Sequence, residues 1–155
     1  MDAHAEGITV AMAQQRRVLG VPVHPLLVHF PIVFWLLSPF FDLGALLAGE
    51  PWAELAFGAT TAGVVTGAAA VVTGLLDYMQ PSLAGIDVHL AAKHGIHTAL
   101  AWCIFTARSI AGAFFLHAAG WPAATWIALD IAGCAVLIRG VYYGTRQVYE
   151  QLEKS

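Results

Sequence analysis

Charge is scarce in this chain. Only 11% of its 155 residues are Asp, Glu, Lys or Arg, against about 25% in soluble domains. Cysteine is scarcer: Cys103 and Cys134 both lie in apolar runs, and no CxxC or CxxCH occurs. Disulfide frameworks, zinc knuckles and covalent c-type haem attachment therefore lose support. There is no GxSxG, no P-loop and no cysteine–histidine pair at a matching depth, which argues against a hydrolytic enzyme and leaves any other catalysis open. Seven Lys and Arg against ten Asp and Glu leave a net charge of −3. Nothing is basic enough for nucleic acid. The order of a signal peptide is missing too, because Arg16 and Arg17 follow the mildly apolar Ile8–Ala13 instead of preceding it.

Apolar residues take the place of charge: 59% of the chain is hydrophobic and the mean hydropathy is +0.71. A bilayer-spanning helix needs about 20 mostly apolar residues. Four segments qualify: Leu26–Ala48, Leu55–Leu76, His89–Leu116 and Trp121–Tyr143. The connections carry Pro51, Pro81, Gly85 and Pro122 and are short. Short connections make neighbouring helices antiparallel. The expected fold is all-α, an integral membrane up-down-up-down four-helix bundle spanning residues 22–145. Residues 1–21 form an N-terminal tail, with Ile8–Leu19 either a short surface helix or unstructured, and residues 146–155 form a C-terminal tail. No internal repeat or low-complexity segment is apparent.

Arg16, Arg17, Lys93, Arg139, Arg146 and Lys154 all fall on one side of this bundle, whereas the opposite connections hold Glu50, Glu54 and His117. The positive-inside rule then puts both termini in the cytoplasm of a bacterial-type inner membrane, with Trp52 and Trp121 as anchors at the other face. His24, His29, Asp77, His94, His97 and Tyr142 gather in the cytoplasmic leaflet. Ionisable groups at that depth are costly without partners and mark candidate sites.

The sharpest motif is His24-Pro25-Leu26-Leu27-Val28-His29-Phe30-Pro31. Five residues place His24 and His29 about 140° apart on a regular helix. A break at Pro31 would turn both rings inward. His94 and His97 share a face of the third span. In the second span, Gly63, Gly67, Ala70 and Gly74 form a stripe of small residues, which serves either helix packing or a flat cofactor. Deeper in the bundle, Arg108 lies level with Asp42, and Asp130 lies nearer the midplane. An Arg108–Asp42 or Arg108–Asp130 ion pair is the economical reading, a proton path the alternative.

The first motif, with Phe41-Asp42, Gly74-Leu75-Leu76-Asp77 and His94-Gly95, resembles the DUF2231 family of small bacterial membrane proteins across residues 22–145. The resemblance implies a four-span bundle whose polar positions are His24, His29, Asp42, Asp77 and His94. It also implies that relatives are sometimes joined to Rieske-type iron–sulfur domains. The family ending resembles Gly-Gly-Glu-Leu-Val-Tyr followed by His-Gly. Here Arg139-Gly140-Val141-Tyr142-Tyr143-Gly144 stands instead, so the carboxylate and the late histidine are missing.

Three functional expectations follow. The leading one is a b-type haem between spans one and three, with His29 and His94 axial and His24 and His97 as substitutes. Gly67 and Gly74 would form its bed, and Lys93, Arg139 and Tyr142 would meet its propionates, with Asp77 orienting a ligand ring. Such a centre would pass electrons from a quinol to a redox partner subunit. The second is a transition-metal or proton-coupled site built from His24, His29, His94, His97 and Asp77. The third needs no cofactor: an anchor or accessory subunit that forms homo- or hetero-oligomers through small-residue helix faces.

Overall fold

The computed structural model describes residues 17–18, 21–79, 87–115 and 123–153. Four long helices carry the fold: α1 (Val23–Ala48), α2 (Glu50–Tyr78), α3 (Val88–Phe115) and α4 (Ala123–Leu152). Two short strands precede them, β1 (Arg17–Val18) and β2 (Val21–Pro22), paired antiparallel with Arg17 opposite Pro22. Pro22 biases Val21 toward an extended conformation, which suits the pairing with Val18. The surface helix expected over Ile8–Leu19 is therefore not formed at Arg17–Val18. The rest of that stretch lies outside the described residues.

One residue, Gly49, separates α1 from α2. Its φ of 89° and ψ of −154° are open only to glycine, and its N–H donates to the Ala45 carbonyl at 3.0 Å. Pro51 then occupies the first turn of α2, where its missing N–H costs nothing. α3 starts at Asp87, whose Oδ1 accepts from the N–H groups of His89 and Leu90 at 2.8 and 3.2 Å and caps the helix. α1 runs unbroken through Pro31 and Pro39. The fresh start expected at Pro31 does not occur.

α1 packs closely on α2 and α3 on α4; the resulting hairpins meet more lightly through α2–α3 and α1–α4. The centre holds Trp35, Ala101, Phe105, Cys134 and Leu137. Large apolar side chains such as Phe40, Leu47, Val65 and Phe114 face outward, whereas Ser38, Asp42, Thr60, Arg108 and Asp130 are buried. A soluble bundle does the reverse. α1, α2 and residues 124–150 of α4 are long and apolar enough to cross a membrane. α3 is not among these three, although it is 28 residues long.

The hairpins also repeat each other's contacts at an offset of 70 residues, so the absence of a repeat expected from the sequence is corrected. His24 lies against Gly74 and bonds the Ala70 carbonyl; His94 lies against Gly144 and bonds the Gly140 carbonyl. Trp35 fills the space beside Gly63, and Phe105 the space beside Gly133. Two helices per unit leave both units the same way up, which makes the relation a pseudo-twofold along the bundle axis. On that axis Trp35 and Phe105 stack, with centroids 4.7 Å apart and planes 5° from parallel.

Candidate cofactor site

One end of the bundle gathers the starts of α1 and α3 and the ends of α2 and α4. His24 and His94 face each other there across the hairpin interface, with ring centroids 6.5 Å apart and planes at 82°. The Nδ1–H of His24 donates to the Ala70 carbonyl at 2.9 Å, and that of His94 to the Gly140 carbonyl at 2.8 Å. A carbonyl only accepts, so Nδ1 carries the proton of each ring. In the neutral imidazole Nε2 then keeps its lone pair. This is the arrangement that fixes metal-ligating histidines through their other nitrogen.

The glycines explain why each ring comes so close to the neighbouring helix. A Cβ at Gly74 would lie 2.7 Å from Cε1 of His24, and one at Gly144 would lie 2.8 Å from Nδ1 of His94. Any side chain there would push the imidazole off its carbonyl.

The other expected residues fall into place less uniformly. His29 is exposed and shares an outward hollow with Phe30, Val33 and Phe34. The unbroken α1 keeps it far round the helix from His24, so His24 replaces it as the partner of His94. His97 turns its Nδ1 back to the Lys93 carbonyl at 2.8 Å and packs 5.2 Å from Tyr143. Tyr143 receives Lys93 and Arg139 over its ring, each 5.7 Å from the centroid; Tyr142 points outward and is 58% exposed. The buried Oδ1 of Asp77 has no hydrogen-bond partner among the described residues. The His24 ring is oriented by Ala70 instead. Gly67 holds the indoles of Trp35 and Trp102, so the small-residue stripe of α2 seats this chain's own rings. Among the described residues no three His, Cys, Asp or Glu side chains converge to hold a metal ion.

Sequence reasoning missed the Ala70 and Gly140 carbonyls and Gly144. The signal that could have found them is the 70-residue offset.

Toward the opposite end, Arg108 joins both of its expected partners at once. Its Nη2 bonds both carboxylate oxygens of Asp42 at 2.8 and 2.7 Å, and its Nε lies 2.9 Å from Asp130 Oδ1. The guanidinium also sits 4.7 Å over the Trp126 ring.

Long helices with an apolar exterior and internally paired charges define a small multi-pass membrane protein. The profile of a family described as "Predicted membrane protein (DUF2231)" matches residues 20–152, and the chain belongs to that family. No curated protein and no solved structure matches it.

Proposed function

We propose that this protein is a four-span electron-transfer module of the bacterial cytoplasmic membrane, with a b-type haem held between its hairpins by His24 and His94. The observation that carries the reading is the facing imidazole pair with both Nδ1 atoms committed to carbonyls. Two imidazoles bound to one metal through bonds of about 2 Å would have centroids about 6 Å apart, close to the 6.5 Å observed. Two protein ligands suffice for a haem because the porphyrin supplies the rest. An ion without a porphyrin needs more donors than the described residues bring together.

The residues present fit the group in other respects. The ring planes are held by backbone carbonyls, with the Thr73 hydroxyl 3.4 Å from His24 Nδ1. The lighter contact between hairpins is where a plate would lie. Lys93 and Arg139 flank Tyr143 close to His97 and supply the positive charge that propionates require. The haem would supply one-electron chemistry; the chain's own contribution is to hold two neutral imidazoles and exclude water with an apolar wall. A membrane quinol as donor and a redox subunit as acceptor suit that depth.

α3 completes the four spans in this reading. Its 28 residues reach about 42 Å, beyond the roughly 30 Å hydrocarbon core, and its buried charge, Arg108, is paired inside. Both termini then lie in the cytoplasm, on the side of Lys93, Arg139 and Arg146.

The test is an absorption spectrum of the protein purified in detergent from haem-replete cells. The expected result is a Soret band with reduced-minus-oxidised bands of a six-coordinate b-type haem. A colourless protein that copurifies with a redox complex would replace this reading with an accessory role, and a colourless protein with stoichiometric metal would replace it with an ion site.

A further inference from the structure

The pseudo-twofold fails at one level, and the failure is chemical. Where the second hairpin has Arg108 and Asp130, the first has Ser38 and Thr60 at the 70-residue offset; where the first has Asp42, the second has Gly112. The asymmetric residues are the ones that form the buried triad. Asp42 is 4% exposed, Arg108 3% and Asp130 0%.

Two carboxylates share one guanidinium in this triad. Asp42 takes the Nη2 hydrogen bonds to both of its oxygens. Asp130 contacts Nε at 2.9 Å through Oδ1, but the contact is poorly aligned and neither oxygen of Asp130 makes a hydrogen bond among the described residues. If both acids were ionised, the cluster would carry one uncompensated negative charge in the apolar centre of the bundle. Burying such a charge costs more than neutralising the group.

Among the described residues the surroundings offer no second cation. From α1, Asp42 and Ser38 lie beside Asp130, and the Ser38 hydroxyl is spent on the Trp35 carbonyl at 2.9 Å. α4 brings Cys134, whose thiol bonds the same carbonyl at 3.2 Å. α3 brings Arg108 and Ser109, and α2 brings Thr61, bonded to Ser109 at 2.6 Å, and Thr60, bonded to Ala56. The titratable or charged groups facing Asp130 are thus Asp42, Arg108 and Cys134.

We infer that the Asp42–Arg108–Asp130 cluster is a proton-binding site, in which Asp130 holds one proton next to the ionised Asp42 and Arg108 pair. The proton makes the cluster neutral and gives Asp130 a donor that can turn to the Asp42 carboxylate. The site is independent of whatever His24 and His94 hold at the other end, and it stands or falls separately from the haem reading.

Infrared spectroscopy of the protein in lipid vesicles at neutral pH reads this directly. A protonated carboxyl has a C=O stretch well separated from the carboxylate bands, and the band shifts in deuterated water. Its presence in the wild type and its loss in Asp130→Asn are expected. Asp130→Asn mimics the protonated acid and keeps the wild-type melting temperature, whereas Asp42→Asn removes the ionised partner of Arg108 and lowers it. Absence of the carboxyl band in the wild type overturns the inference, as does an Asp130→Asn variant destabilised as much as Asp42→Asn. A melting temperature that rises with sodium while the carboxyl band is missing would instead assign the compensating charge to a metal cation.

Discussion

Gly74 and Gly144 have no side chain, and that absence lets His24 and His94 reach the backbone of the next helix. Substituting valine at either position puts methyl groups where the imidazole now sits, forcing the ring off its carbonyl and off the axis. Gly74→Val and Gly144→Val are each expected to abolish the Soret band. Gly95→Ala, with nothing within 4 Å of the added carbon, is expected to keep it and to stabilise α3 by up to about 1 kcal/mol. Equal spectra for all three variants would show that the glycines do not set the site. His29 teaches the same lesson from the opposite side: the motif His24-Pro-Leu-Leu-Val-His29 was legible, but which imidazole faces inward depends on α1 staying helical past Pro31. Proline restricts its own helix only locally, and neighbouring helices decide whether a break follows.

At the scale of elements, the four apolar runs gave the helices, their order and their approximate ends. The ends grew longer than expected at α2 and α4, where Pro51 and residues up to Leu152 extend the helix beyond the apolar core. Contacts between helices were legible only where charge forced them. Arg108 had to find an acid, and both candidates, Asp42 and Asp130, proved to be partners. Arg108→Leu strands the buried Asp42 carboxylate and is expected to lower stability by about 3–5 kcal/mol, the usual cost of breaking a buried pair. Thermal unfolding in detergent measures it. A variant that melts with the wild type would mean that the guanidinium does not hold α1, α3 and α4 together. The stack of Trp35 on Phe105 carried no such signal, since an indole and a phenyl 70 residues apart look like any two core aromatics.

For the whole molecule, the repeat is the feature the sequence concealed. Among the positions that make the repeated contacts, His24 and His94, Gly63 and Gly133, and Gly74 and Gly144 are identical pairs, while Trp35 corresponds to Phe105 and Ala70 to Gly140. Size and backbone access are kept where residue type is not, so the relation emerges from contacts before it emerges from letters. An even number of helices per unit also puts the start of α1 and the end of α4 at one end of the bundle, and the Gly49 turn at the other. Cysteines introduced at Glu50 and Glu153, in a chain whose own Cys103 and Cys134 are replaced, are expected to label with an impermeant thiol reagent from opposite sides, Glu50→Cys from outside and Glu153→Cys only after the membrane is opened. Labelling of both from one side would refute the up-down-up-down topology.

The account as a whole turns on a ligand pair placed on the pseudo-twofold axis. The most direct measurement is the reduced-minus-oxidised spectrum of His24→Ala, His94→Ala and His29→Ala, purified alongside the wild type. His24 and His94 hold equivalent positions against neighbouring carbonyls, whereas His29 is exposed on the outer face. The expected result is therefore loss of the six-coordinate haem bands in the first two variants and a wild-type spectrum in the third. Haem bands that survive in His24→Ala or His94→Ala, or that vanish in His29→Ala, would contradict it.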